Sequence, residues 1–391
     1  MGNSLVAITG HYDAIVIGIG GMGSAAAFHM ARRGLKVLGL ERHNIPHALG
    51  SSHGITRIIR LCYYEHPSYV PLLRRAYQLW RELELAANEK LLYVTGSIDA
   101  GPEGSEVFEG SRKSCELHDL PHEILSQGDL HKRFPGYQLP QQHLAVFQPE
   151  GGFLLPERCI VNHVQIAQAF GAEIHAQEQV LDWEPTSRGV RVRTNRSSTY
   201  EADHLVIAAG AWVGEQAKFL APVAVPERQV LGWFQPIEQN LFKPEKFPVF
   251  NILVDEGRFY GLPIYGVPGF KLGCYHHLGQ KVVPDELGSK CTLADEKLLR
   301  TFVEKYLPLA AGPTMSLVPC MFTNTPDEHF ILDFHPEYKQ VCIASPCSGH
   351  GFKFCSVVGE IMADLVQHGS TQHDITLHRL SRFEGTKQNK N

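Results

Sequence analysis

The chain has no Cys-x-x-Cys pair, no run of 18 or more apolar residues and no large surplus of either charge. Its nine cysteines, at 62, 115, 159, 274, 291, 320, 342, 347 and 355, form an odd set without ribbon spacing. That argues against a disulfide framework and against a zinc ribbon, so free thiols and no metal site are expected. Lacking a long apolar run, the chain is not expected to span a membrane. Met1 to His11 has no basic stretch ahead of an apolar core, so no signal peptide is expected, and Lys387 to Asn391 does not spell the peroxisomal Ser-Lys-Leu address. A cytoplasmic location is the resulting expectation. With 36 Lys and Arg against 41 Asp and Glu, the net charge of -5 gives no basic face for nucleic acid. No internal repeat or low-complexity tract is present.

What the chain does contain begins at its N-terminus, and its 391 residues allow a large core and, as a prior, two domains. Tyr12 to Ile17 is a β-branched run that leads into Gly18, Gly20 and Gly23, then an alanine-rich helical stretch ending near Gly34. A second strand, Lys36 to Leu40, ends at Glu41. Strand, glycine turn, helix, strand and acid is the order of a dinucleotide fold. Gly18 permits the tight turn, Gly20 lets backbone approach a pyrophosphate, and Gly23 lets helix and strand pack closely. The helix N-terminus offers N–H groups and a positive dipole end to phosphate. Glu41 is placed to accept from a ribose hydroxyl and to repel a 2'-phosphate, which disfavours NADP. The motif does not separate FAD from NAD.

Leu72, Leu73, Ala76, Leu79, Trp80 and Leu83 recur at helical spacing between Pro67 and Ala87 and read as a core stripe. His204 to Trp212 reads as a strand running into a small-residue turn. If that strand returns to the nucleotide sheet, the cofactor domain is discontinuous: 1–85, 146–220 and 320–391, with 86–145 and 221–319 as the second domain. The block 223–270, rich in Pro, Gly and aromatics, reads as strands and turns closing over a pocket.

Five segments carry a family pattern: Gly50-Ser51-Ser52-His53-Gly54-Ile55-Thr56-Arg57-Ile58-Ile59-Arg60, Tyr260-Gly261-Leu262-Pro263, Lys271-Leu272-Gly273, Cys320 to Phe330, and Ser348-Gly349-His350-Gly351-Phe352-Lys353-Phe354. Together they resemble the monomeric sarcosine oxidase family, which includes N-methyltryptophan and pipecolate oxidases, over residues 12 to 383. The resemblance implies an α/β fold: a Rossmann-like FAD-binding domain with a discontinuous, mainly β-sheet substrate domain, as in the D-amino acid oxidase-like flavoproteins. It implies FAD bonded through a thioether from Cys320 to the 8α-methyl carbon, chemistry that requires a thiolate in a held geometry. Further cofactor contacts are implied for Gly18, Gly20, Gly23, Glu41, Arg42, Ser51, His53, Thr56, Arg57, Val180, Ala209, Gly210, Trp212, Met321, Gly349, His350, Gly351, Phe352 and Lys353.

By the same resemblance, Arg60 and Lys353 hold the substrate carboxylate, a planar fork beside a point charge. Arg57 and Lys271 lie near the flavin ring, with Lys271 as the oxygen-activating lysine. Tyr260 and His276 line the substrate site and tune its protonation. Two departures stand out. Cys274 is an extra residue between Gly273 and Tyr275, so His276 and His277 compete for the histidine position, the Tyr-His pair favouring His276. Phe322 stands in the substrate site where bacterial sarcosine oxidases carry tyrosine.

The implied function is oxidation of a secondary amino acid such as sarcosine, N-methyltryptophan or pipecolate by a monomer. A hydride equivalent goes to flavin N5, oxygen takes the electrons to give hydrogen peroxide, and the imine is hydrolysed. The competing readings are a flavin dehydrogenase with another acceptor, a protein that binds FAD without turnover and, more distantly, an NAD-dependent dehydrogenase.

Overall fold

The N-terminal strand and glycine turn organise the first half of the molecule, whose computed structural model describes residues 8–345 and 347–383. Strand Gly10–Ile17 is buried from Ala14 to Ile17 apart from the pleat at its start, because parallel neighbours flank it on both sides. Val37–Leu40 pairs on one side and Thr199–Ile207 on the other, both parallel. The expected return at residue 204 therefore occurs within Thr199–Ile207, which pairs in turn with Val341–Ala344. These strands belong to an eight-stranded sheet.

Helix Gly21–Arg32 follows the turn and packs against Cys355–His368, where the missing side chain of Gly359 permits contact. A Cβ there would lie 2.5 Å from the Ala25 carbonyl carbon. The stripe between 67 and 87 forms helix Tyr69–Ala87 and buries all six of its expected core residues. Asn88 ends that helix in the left-handed region, at φ 49°.

The second eight-stranded sheet carries the aromatic block. Thr314–Asn324, Val225–Phe234, Phe270–Cys274, Gly257–Leu262 and Val249–Val254 run side by side antiparallel. Ser97–Pro102 joins parallel to Val249–Val254, followed by His143–Gln148 and Glu123–Ser126. Phe247, Phe250, Phe259, Phe270 and Phe302 form the core of this sheet together with helix Leu293–Tyr306. The expected boundaries at 145/146 and 319/320 fall inside two of its strands, His143–Gln148 and Thr314–Asn324. Cys320 is thus held in the second sheet, opposite Gln229. A three-stranded sheet, Arg57–Ile59, Gly152–Leu154 and Leu92–Val94, carries Arg57.

None of the nine cysteines forms a disulfide. Among the described residues no helix is long and apolar enough to cross a membrane, and no group of three or more His, Cys, Asp or Glu could hold a metal.

Candidate active site

One cavity of about 1790 Å³, counted out to its open mouth, is lined from both large sheets. At its first end, Gly18 takes φ +86°, and a Cβ there would lie 2.7 Å from the Ala208 carbonyl oxygen. Gly20 precedes helix Gly21–Arg32 and has nothing within 4 Å of where a side chain would begin, which leaves room beside the helix's first turn, where the Gly21 N–H donates to Ser52 Oγ at 3.4 Å.

Gly23 does not line the cavity. A Cβ on it would sit 1.7 Å from the Gly18 carbonyl oxygen, so it seats the helix against the turn. Gly23→Ala should therefore push the helix off the turn. The expected cost is at least about 3 kcal/mol, the upper range for overpacking, read as a large fall in Tm together with loss of bound flavin.

Glu41 ends the second strand inside the cavity wall. Its Oε2 accepts from the Ile19 N–H and its Oε1 from the His43 N–H, both at 2.9 Å, and each oxygen keeps a lone pair for a ribose hydroxyl. Arg42 lies over the Trp212 ring at 5.0 Å, and both side chains meet Asp285, at 3.2 and 2.7 Å. Val180, Ala209 and Gly210 line the same end.

Further in, carbonyls of the segment 51–56 gather two cations. Arg57 Nη2 donates to Ser51 O at 2.9 Å and Nη1 to Thr56 O at 3.0 Å, while Lys271 Nζ donates to Gly54 O at 2.8 Å and Thr56 O at 2.6 Å. Arg57 Nη2 also lies 3.7 Å from the buried Cys320 Sγ, placing a positive charge beside that sulfur. Burial first, and Arg57 second, push the Lys271 ammonium well below its ordinary value. Lys271 therefore keeps its proton best when an anion shares the cavity. Met321, His350, Gly351 and Phe352 line the wall here, ahead of helix Cys355–His368. Gly349, at φ +79°, lies against Phe322: a Cβ would meet the ring at 2.5 Å.

The remaining end is closed by Arg60, Lys353, Tyr260, Tyr275 and Phe322. Arg60 is almost wholly buried, at 1% exposure, and already partnered. Its Nη2 donates to both Glu65 oxygens at 2.9 and 2.7 Å, its Nη1 to Cys62 O at 2.6 Å, and Asp99 lies 3.5 Å away. Burial works against the guanidinium charge, but Asp99 and Glu65 outweigh it and raise its pKa. Lys353 Nζ donates to His350 O at 2.7 Å, and burial, then Arg60, push its ammonium down to about 7.

Three expected site residues lie off the cavity wall: Gly23, described above, His276 and His53. His276 does not line the cavity: residues 276 and 277 take φ of 58° and 33°, turning the chain away after Tyr275, which occupies the wall instead. His276 is half-exposed and bonded to Glu227 at 3.1 Å and Glu328 at 2.9 Å, while His277 pairs with Asp295 at 2.8 Å. His53, expected at the cofactor, is buried but absent from the wall, and burial, Arg57 and Lys271 push its imidazole down to about 3.

The hydrogen bonds to Glu227 and Glu328 raise His276 to about 9. A raised histidine stabilises fully below its unfolded value near 6.5 and loses that contribution as pH rises through 9. Because the side chain is 42% exposed, the expected effect is only ~1 kcal/mol or less. The Tm gap between the protein and His276→Gln should be open at pH 6 and closed by about pH 10.

The cavity fits FAD. Beside the glycine turn and Glu41, the buried Thr323 Oγ1 and Gln216 Oε1 line it without a partner among the described residues, which suits an occupant bringing polar groups. Asn251 and Tyr275 also line it and are not signalled by the family segments. Asn251 was nonetheless legible as a polar residue within the apolar run Val249–Val254.

The parallel βαβ turn, the acid at the second strand and the buried cations beyond it define a dinucleotide-dependent oxidoreductase. Residues 13–365 match the family model described as DAO, FAD dependent oxidoreductase, and the chain belongs to that family. It is 40% identical to monomeric sarcosine oxidase of Bacillus sp. (strain NS-129), over 95% of this chain and 97% of that one. It is 34% identical to N-methyl-L-tryptophan oxidase of Yersinia pestis (strain Pestoides F), over 95% and 99%. Among solved structures, NikD, an unusual amino acid oxidase essential for nikkomycin biosynthesis, superposes with TM-score 0.81 at 25% identity, over 95% and 98%.

Proposed function

We propose that the protein oxidises a secondary amino acid, N-methylated or cyclic, with FAD bound through Cys320 and oxygen as final acceptor. The observation that carries this reading is the pair of buried cations Arg60 and Lys353 in the same cavity as Cys320, Arg57 and Lys271. The printed activities of the relatives, on sarcosine and N-methyl-L-tryptophan, support it. Bound FAD supplies the two-electron chemistry, taking a hydride equivalent from the C–H beside nitrogen and giving the electrons to oxygen as hydrogen peroxide. The residues around Gly20, Glu41 and Trp212 hold its nucleotide half, and those around Cys320 and Gly349 its ring.

Arg60 and Lys353 orient the substrate by its carboxylate, which takes over part of Glu65's hold on the Arg60 fork. Tyr260, Tyr275 and Phe322 wall the site with aromatic surface and exclude water, and the cations nearby favour the neutral amine that can support C–H cleavage. The reading includes a monomeric chain and a cytoplasmic location. Anaerobic mixing of the holoprotein with sarcosine, N-methyltryptophan and pipecolate should bleach the flavin with at least one of them. Persistent yellow with the whole panel would overturn the reading.

Carboxylate binding should also depend on pH. Lys353 loses its proton above about 7 in the free protein, and only the ammonium attracts an anion. Acetate affinity, read from flavin absorbance, should fall by up to about tenfold per pH unit above 7. In Lys353→Arg that slope should vanish.

A further inference from the structure

The second large sheet sets four residues side by side across adjacent strands: Asp99 opposite Asn251, Asn251 opposite Tyr260, and Tyr260 opposite Gly273. Gly273 leaves the room that the Tyr260 ring fills, since a Cβ there would meet the phenol oxygen at 2.3 Å. Asn251 lines the cavity yet is only 2% exposed. Its Nδ2 donates to Asp99 Oδ1 at 2.8 Å. Asp99 is fully buried and also accepts from Ser111 Oγ at 2.7 Å and Cys62 Sγ at 3.1 Å, beside the Arg60 guanidinium at 3.5 Å. This network assigns the amide orientation: the NH2 faces the carboxylate, and Oδ1 accepts no hydrogen bond from any described residue.

One end of this row touches Arg60, through Asp99. Beyond its other side, two residues along from Tyr260 and Gly273, lie Leu262 and Lys271, paired with each other in the cavity wall. An amino acid held by its carboxylate at Arg60 and reacting toward Lys271 and Cys320 therefore passes its nitrogen over Asn251 and Tyr260, because that nitrogen is one carbon from the carboxylate. The geometry points to Asn251 as a substrate-binding residue whose Oδ1 accepts the N–H of a neutral secondary amine, with Asp99 as the positioning residue behind it. The inference rests on the amine-oxidising function proposed above and specifies its amine class.

The chemistry makes this bond strengthen during reaction. The C–H beside nitrogen breaks, its hydrogen leaving with both bonding electrons toward the cofactor, and the nitrogen lone pair forms the C=N bond. Nitrogen keeps its N–H and becomes positive. An acceptor fixed in place and polarised by a buried carboxylate favours that charge more than the neutral amine. A neutral tertiary amine has no N–H to offer at either stage, so the site selects secondary over tertiary amines.

The test compares one amino acid in its N-methyl and N,N-dimethyl forms by anaerobic flavin bleaching, using holoprotein and its Asn251→Leu variant, with acetate affinity as control. The limiting rate with the N-methyl form should fall about 10- to 100-fold in Asn251→Leu, the size of a hydrogen bond to a charged group. The N,N-dimethyl rate and acetate affinity should stay within about twofold, so the preference for the N-methyl form collapses. Equal slowing of both forms, or no change with the N-methyl form, overturns the inference alone. A parent holoprotein that oxidises both forms equally overturns it without any variant, which covers an Asn251→Leu that does not fold. A parent holoprotein bleached by no amine overturns the proposed function and this inference together.

Discussion

In Cys320→Ala, all of the yellow colour should leave the protein on acid precipitation, whereas it should stay with the pellet of the parent protein. The expectation rests on position. Cys320 lies in the cavity wall on strand Thr314–Asn324, with the Arg57 guanidinium 3.7 Å from its sulfur and the Ser51 carbonyl oxygen at 4.0 Å. Two other cysteines, Cys347 and Cys355, reach the same cavity, so residue type alone does not select the attachment point. Their surroundings do. Burial pushes the Cys347 thiol up to about 12 and the Cys355 thiol up as well, and a thiol that keeps its proton is a poor nucleophile. Cys355 is moreover packed at the glycine turn, where a Cβ on Gly21 would come within 2.6 Å of its sulfur. Colour that stays with precipitated Cys320→Ala would remove Cys320 from this role, and Cys347→Ala and Cys355→Ala would then be the variants to assay.

Lys271→Met should slow the return of yellow colour with oxygen by about 10²–10³-fold, the usual loss when one preorganised electrostatic group is removed. Anaerobic bleaching by the amine should change by less than about tenfold, since the carboxylate hold lies elsewhere, at Arg60 and Lys353. Methionine matches the length of the lysine stem, so the packing against Trp233, whose ring centre is 5.6 Å from Nζ, is largely kept. What disappears is a charge held at two carbonyl oxygens inside a dry wall, where charge acts most strongly. Stopped-flow absorbance separates the two halves of the reaction. Equal losses in both would assign Lys271 a structural role instead.

Much of the nucleotide half was legible in the sequence because its constraints are local. A turn that needs positive φ at Gly18, and a helix that clashes unless residue 23 lacks a side chain, leave their mark within six residues. The Pro67 to Ala87 stripe was legible for a similar reason, since one helix face reports its own burial. The histidine position was not. Two adjacent histidines competed for it in the sequence, and only the positive φ values at 276 and 277 show where the strand ends and which side chain leaves the wall. Cys320 was legible as a motif, yet its place in the second sheet follows from pairing with Val225–Phe234, nearly a hundred residues earlier in the chain.

By itself the sequence determined the βαβ nucleotide turn, the acid that ends its second strand and the family segments that carry Cys320, Arg57, Lys271, Arg60 and Lys353. These depend on spacing along one chain segment, which folding preserves. Tertiary structure alone decided that Arg60 is already shared between Glu65 and Asp99, that Tyr275 rather than His276 faces the cavity, and that Asn251 presents a free acceptor beside Tyr260. Those facts depend on which strands lie next to each other and in what register. Pairing across a sheet joins residues about 150 positions apart in sequence, as it does Asp99 and Asn251, and a one-residue shift would turn each side chain to the opposite face.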